Sequence, residues 1–315
     1  MRGSCSSRSA WISDVIRVGN APVSWGVYEA DRPNPPFGRI LDEIARAGYE
    51  GTELGPYGYL PTEAGALERE LNARGLGLGS SFVALPLEDA SRRAASVAHV
   101  LRVARLLATQ GVGEVILADD EDPERARVAG RVETNGRAGW SDAEWREAVA
   151  TIQAVAKALR DELGMHVVVH HHAGTFVETP AEIDRLLAAT DADLVGLLLD
   201  TGHCVYGGGE PLDVLKRHRG RVRYLHLKDA RETELRHVRT SDVSMAEAWK
   251  RGVFCPLGEG VVDFPRVIET LRGGGYTGWL IVEQDVVPDE QGRLEPDPSD
   301  SARKSRAYLR DKAGV

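Results

Sequence analysis

The chain has 315 residues, 42% of them hydrophobic, enough to bury one large core without a second domain. Its 39 basic and 48 acidic side chains leave a net charge of −9, which repels nucleic acid and anionic membrane surfaces and makes a small molecule the expected partner. No apolar run reaches the roughly 20 residues of a membrane span. Cys5, Cys204 and Cys255 are too scattered for a disulfide framework or a zinc knuckle and suit a reducing cytoplasm, the expected location.

Residues 1–15 are expected to form a flexible N-terminal extension, because they begin with a polar run and lack the apolar stretch of a secretory signal. Residues 16–315 are expected to form one catalytic domain. From residue 16 onward, strand-like and helix-like patterns alternate, the sign of βα units and a parallel sheet. Strands are predicted over 16–20, 51–54, 77–83, 114–118, 166–170, 195–200, 222–227 and 279–283. Helical stripes lie between them: Ile40, Leu41, Ile44 and Ala45 form the first, and Val97, Val100, Leu101, Ala104, Leu107 and Ala108 a longer one. Ser141 with Glu144 fits a capping box; Thr179-Pro180-Ala181-Glu182 adds a proline at the first helical position. Gly48, Gly75, Gly111 and Gly164 mark helix ends.

Eight such units close into a (β/α)8 TIM barrel. The rival, an open doubly wound sheet, loses support because no GxGxxG opens the first helix. Longer connections at 119–140, 229–259 and 286–299 each follow a predicted strand and so belong to the mouth of the barrel. Within the first, 125–140 reads either as a lid or as a mobile surface excursion.

Four of the apolar runs end in a metal-binding side chain: His170, Asp200, His226 and Glu283. Side chains at the carboxyl ends of barrel strands point into the mouth, where active sites of such folds lie. Two oxygen and two nitrogen donors converging there would make a divalent-metal site. Residues two apart in a strand face the same side, so His170 and His172 can both look inward, and His203 can lean over the same pocket from the loop after Asp200. A slip in strand register would make His172, rather than His170, the first ligand.

The segments Asp200-x-x-His203, His226-x-Lys228-Asp229 and Val282-Glu283 resemble the xylose-isomerase-like sugar isomerase and epimerase superfamily. The resemblance runs from about Val18 to the end and implies a TIM barrel that binds one divalent ion through Glu, Asp, His and Glu. Here His170 stands where that family usually has the first Glu, and His172 is retained. Within the superfamily, His170-His171-His172-Ala173-Gly174-Thr175 is similar to the "HHHxGT" segment of inosose dehydratases, and Gly19-Asn20-Ala21-Pro22-Val23-Ser24-Trp25 to their "G-x-A-P-x-x-W". Gly51-Thr52-Glu53-Leu54-Gly55 and Leu257-Gly258-Glu259-Gly260 fit as well.

The His-for-Glu change leaves two ligand charges against a 2+ ion instead of three, so the ion is the stronger Lewis acid toward a carbonyl. Mixed imidazole and carboxylate donors suit Mn2+ or Co2+ first, with Zn2+, Fe2+ or Mg2+ as alternatives. Losing a carboxylate impairs the two-glutamate proton exchange that the resemblance implies for epimerases. The expected activity is therefore dehydration of a cyclic keto-polyol, inosose to a trihydroxycyclohexanedione, with a ketose isomerase or epimerase as the alternative. His172 and His203 are the candidate acid/base pair and Glu283 a candidate base. Lys228 either binds a substrate oxygen or pairs with Asp229 or Glu283. Glu53 and Glu259 fall at mouth positions, as substrate contacts or surface acids. Trp25 is either a stacking wall for a ring substrate or a core residue. The partner is a polyol or sugar, with a homo-oligomer left open.

Overall fold

The computed structural model describes residues 15–132, 139–289 and 291–315. Of the extension expected at 1–15, only Val15 falls among them, and it is exposed. The strands are β1 (Arg17–Asn20), β2 (Gly51–Thr52), β3 (Gly77–Leu78), β4 (Phe82–Leu85), β5 (Glu114–Asp119), β6 (His166–His170), β7 (Val195–Asp200), β8 (Val222–Leu227), β9 (Asp229–Ala230), β10 (Phe254–Cys255) and β11 (Trp279–Val282). Nine of them form one sheet in the order β3-β2-β1-β11-β8-β7-β6-β5-β4, and every pairing in it is parallel.

The two ends of that order are consecutive pieces of one chain run, and this closes the sheet into a barrel. The strand expected over 77–83 is broken at Gly79-Ser80-Ser81 into β3 and β4. Hydrogen bonds nevertheless carry the ladder across the break: Gly79 N–H to Thr52 O at 2.8 Å, Leu54 N–H to Ser80 O at 2.9 Å, and Ile116 N–H to Ser81 O at 3.2 Å. A Cβ at position 79 would collide with the Tyr224 hydroxyl, which rises inside the barrel.

Helices cover the outside of the sheet. In Phe37–Arg46 the stripe Ile40, Leu41 and Ile44 is wholly buried, and each such side chain contributes about 1.5–3 kcal/mol. Both capping boxes form, at Ser141 for Asp142–Leu163 and at Thr179 for Pro180–Ala189. These reciprocal bonds satisfy amide groups that would otherwise be orphaned at a helix start.

The long connections cluster at one end. The connection over 229–259 carries helices Glu232–Thr240 and Met245–Lys250 and is closed by the antiparallel pair of β9 and β10. The connection over 119–140 carries helix Pro123–Val128, and several of its described side chains are buried against neighbouring segments. Arg125 is fully buried and grips Glu182 at 2.6 and 2.7 Å. Arg131 donates to Val238 O at 3.1 Å and Val243 O at 2.6 Å, tying this connection to the next. Trp140 stacks on Phe176 at 5.2 Å. Residues 133–138 of the expected lid lie outside the described residues.

Candidate active site

His170 ends β6, Asp200 ends β7, His226 lies in β8 opposite Asp200, and Glu283 directly follows β11. Parallel strands in register therefore deliver all four to one end of the barrel. Asp200 also caps the short helix Thr201–Tyr206, its Oδ1 accepting the His203 N–H at 2.8 Å. This leaves Oδ2 facing the others: His170 Nε2 at 3.5 Å, His226 Nδ1 at 3.7 Å and Lys228 Nζ at 3.3 Å. Glu283 Oε2 lies 3.0 Å from His226 Nδ1 and 3.3 Å from Lys228 Nζ.

These atoms fit a divalent cation. Asp200 Oδ2 and His226 Nδ1 are buried without a hydrogen-bond partner, and an unsatisfied buried polar atom costs about 1–3 kcal/mol, more when charged. His170, Asp200 and His226 can bring one ligand atom each within 4.8 Å of the others, as can Glu53, His226 and Glu283. Burial holds His170 below its ordinary value, so its imidazole is neutral and has a lone pair to give. Burial works against the charge on Asp200, but Lys228 and His203 outweigh it and hold the carboxyl well below the usual range. Burial likewise opposes protonation of His226, yet the carboxylates of Glu283 and Glu53 raise it well above the ordinary value. The negative pocket calls for a cation, which a metal ion would provide.

The neighbouring imidazoles are oriented by the backbone. His171 Nε2 accepts the Asp200 N–H at 3.2 Å, and burial pushes its pKa down to about 3, so it is a neutral wall residue. His172 sits on a tight turn in which its N–H donates to Val177 O and the Thr175 hydroxyl donates to its carbonyl. Its Nδ1 lies 2.7 Å from Ala173 O, which fixes the proton there and leaves Nε2 as an acceptor. The His203 ring lies 3.8 Å from that of His172, and its Nδ1 accepts the Ala173 N–H at 3.3 Å.

Lys228 reaches this cluster because Gly202 leaves room: a Cβ there would stand 2.5 Å from Lys228 Cγ. Its ammonium donates to both Asp285 oxygens, at 3.0 and 2.9 Å; His203 Nε2, which carries that ring's proton because Nδ1 accepts from Ala173, faces Asp285 Oδ2 at 3.4 Å. Asp229 takes no part in the site. Its carboxylate accepts N–H bonds from Ala230, Gly258, Gly260 and Val262, which folds the Leu257-Gly258-Glu259-Gly260 loop back onto the barrel.

A cavity of about 600 Å³ opens over the centre. Its lining combines apolar and aromatic side chains, among them Val27, Tyr57 and Phe82, with the polar groups Asp119, Glu121, His172 and Lys228. Burial pushes the Asp119 carboxyl up to about 8 and that of Glu121 to about 7.

Of the residues singled out in the sequence, His170, His172, His226, Lys228, Glu53 and Glu283 line the cavity, and Asp200 sits fully buried against them. Three are placed otherwise. Trp25 is a buried core residue whose indole N–H donates to Glu43 at 2.7 Å, so it offers no stacking wall. Glu259 points outward to Arg231 at 2.9 Å, because its glycine neighbours bind Asp229. His203 is fully buried behind His172 and Lys228 and does not line the cavity.

Sequence reading missed Asp285, Asp119 and Phe82. The first two had signals: Asp285 follows Glu283 by two residues, and Asp119 ends β5, one residue past the predicted strand. Phe82, edge-on to His170 at 5.6 Å, had none.

The model of the xylose isomerase-like TIM barrel family matches residues 41–312, and the chain belongs to that family. Its curated relatives include "Inosose dehydratase 2" of Bacillus cereus, 32% identical over 96% of this chain and 99% of the relative. An inosose dehydratase of Geobacillus kaustophilus is 35% identical over 87% of this chain and 88% of its own. Among solved structures, the probable 3-DHS dehydratase of Bacillus anthracis superposes with a TM-score of 0.67 at 19% identity, covering 93% of this chain and 98% of that one. The 3-keto-D-glucoside 4-epimerase of E. coli gives 0.68 at 17% identity over 94% and 99%; these two likenesses are of fold. Together the relatives make this chain an enzyme that modifies a sugar-like small molecule. No helix among the described residues is long and apolar enough to cross a membrane.

Proposed function

We propose that the chain is a divalent-metal-dependent dehydratase that converts inosose, a cyclic keto-polyol, to a trihydroxycyclohexanedione. The observation that carries this reading is that His226 forms one ligand group with His170 and Asp200 and another with Glu283, while Asp200 Oδ2 and His226 Nδ1 make no hydrogen bond. The inosose dehydratase names of the curated relatives point the same way.

These four side chains would hold the ion, Mn2+ or Co2+ by donor chemistry, and it would supply a Lewis acid for the ketone oxygen. The remaining work falls to protein groups. His172, neutral because burial holds it well below its ordinary value, presents Nε2 as the base for the proton next to the ketone. Glu283 is less suited to that task, since its Oε2 is already engaged by His226 and Lys228.

The Lys228 ammonium, held by Asp285, faces the cavity as the donor to the departing hydroxyl. The C–H proton goes to His172, its electron pair forms the new C=C bond, and the neighbouring C–O bond breaks. The hydroxyl, hydrogen-bonded by the Lys228 ammonium, leaves as water with the proton that His172 took from carbon. The resulting enol tautomerises to the dione. His203, behind His172, faces Asp285 rather than exchanging protons with substrate.

The test is to strip the protein of metal, add a panel of divalent ions with inosose, and follow product mass and dione absorbance. Metal-dependent loss of one water is the expected result. A product of unchanged mass would replace dehydration by epimerisation or isomerisation, and no turnover with any ion would overturn the assignment.

A further inference from the structure

Glu53 follows β2 and was marked in the sequence as a substrate-facing carboxylate, but it is engaged elsewhere. Its Oε1 lies 2.9 Å from His226 Nε2, across 173 residues of sequence, and the side chain is 2% exposed. Once a cation replaces its second proton, the His226 imidazole has one N–H and one lone pair, and the partner of one nitrogen decides what the other presents. An ionised carboxylate only accepts, so Nε2 carries the proton and the lone pair falls on Nδ1. That nitrogen is buried and makes no hydrogen bond, although Glu283 Oε2 is 3.0 Å away and Asp200 Oδ2 is 3.7 Å away. Two carboxylate oxygens therefore converge on this nitrogen, and a cation there would be bound by all three atoms.

We propose that Glu53 is a positioning residue for the cation site: it holds His226 in the Nε2–H tautomer and so presents Nδ1 to a divalent ion. The proposal rests on reading His170, Asp200, His226 and Glu283 as ligands. Carboxylates that orient a ligating imidazole in this way typically change metal affinity by about 10–100-fold when removed.

The full chain is loaded with Zn2+, a diamagnetic probe, and affinity is measured by competition with a chelator for wild type, Glu53→Gln, Glu53→Leu and Asp200→Asn. Nitrogen NMR of histidine-labelled wild type reads the His226 tautomer directly and needs no variant to fold. The expected results are a proton on Nε2 with Zn2+ on Nδ1, near-normal affinity for Glu53→Gln, whose amide oxygen still accepts, and a loss of about 10–100-fold for Glu53→Leu. Zn2+ on Nε2, or wild-type affinity in Glu53→Leu, overturns the proposal. So does a rise in substrate KM without any change in Zn2+ affinity, which would return Glu53 to a substrate contact. If Asp200→Asn also binds Zn2+ normally, the ligand reading itself fails; if only Asp200→Asn loses it, the fault lies with the role given to Glu53.

Discussion

Asp119 ends β5 beside the cavity and is 3% exposed, with Oδ2 accepting the Phe176 N–H at 3.1 Å. Burial, with smaller help from Glu88 and Asp120, pushes its carboxyl from 3.8 up to about 8. The folded protein therefore keeps this proton through neutrality, while the unfolded chain releases it near 3.8. The group's contribution to stability is fully present below 3.8 and is lost as pH rises through about 8. Between about pH 5 and pH 8 the loss comes to roughly 4 kcal/mol, at 1.36 kcal/mol per pH step. With the higher effective dielectric that proteins show even at buried sites, the expected loss is about 2–4 kcal/mol.

Asp119→Asn removes the titration and keeps an acceptor for Phe176. In guanidinium unfolding of the metal-free protein, the gap in stability between variant and wild type is expected to widen by that amount toward pH 8, in favour of Asn, with the m-value unchanged. Stabilities that run parallel in the two proteins from pH 5 to pH 8 would refute the reasoning.

Two further outcomes separate the roles of residues around Lys228. His172→Gln should abolish turnover while leaving metal content intact, whereas His203→Gln, behind the wall, should lower kcat only partly; equal loss in both would put His203 back in contact with substrate. Gly202→Ala sets a methyl 2.5 Å from Lys228 Cγ. It should cost about 1–3 kcal/mol by overpacking and lower kcat by pulling Nζ off Asp285, with metal affinity preserved. Wild-type turnover in this variant would remove Lys228 from the chemistry.

Local chemistry made most of the barrel legible. The runs at 166–170, 195–200 and 222–227 coincide with β6, β7 and β8 to the residue, because strands buried on both faces are unbroken apolar stretches. The capping boxes at Ser141 and Thr179 are equally local, needing only residues three apart. Ligand types at strand ends could be read for the same reason: the barrel fixes where a strand end points, whatever lies across from it.

Pairings across the barrel were another matter, since they depend on register and on which backbone groups are already satisfied. Nothing near Trp25 announces Glu43 as the acceptor of its indole N–H. Nothing in Leu257-Gly258-Glu259-Gly260 says that its glycine amides turn to Asp229 and leave Glu259 facing Arg231. The sequence by itself determined the alternation of strand and helix, the single barrel, and the residue types delivered to its mouth. Tertiary structure alone decided that Glu53 meets His226, that Asp285 holds Lys228, and that His203 stands behind His172. Hydrogen-bond and charge partners are chosen by proximity in space, and closing the sheet is what brings residues as distant as 53 and 226 within reach.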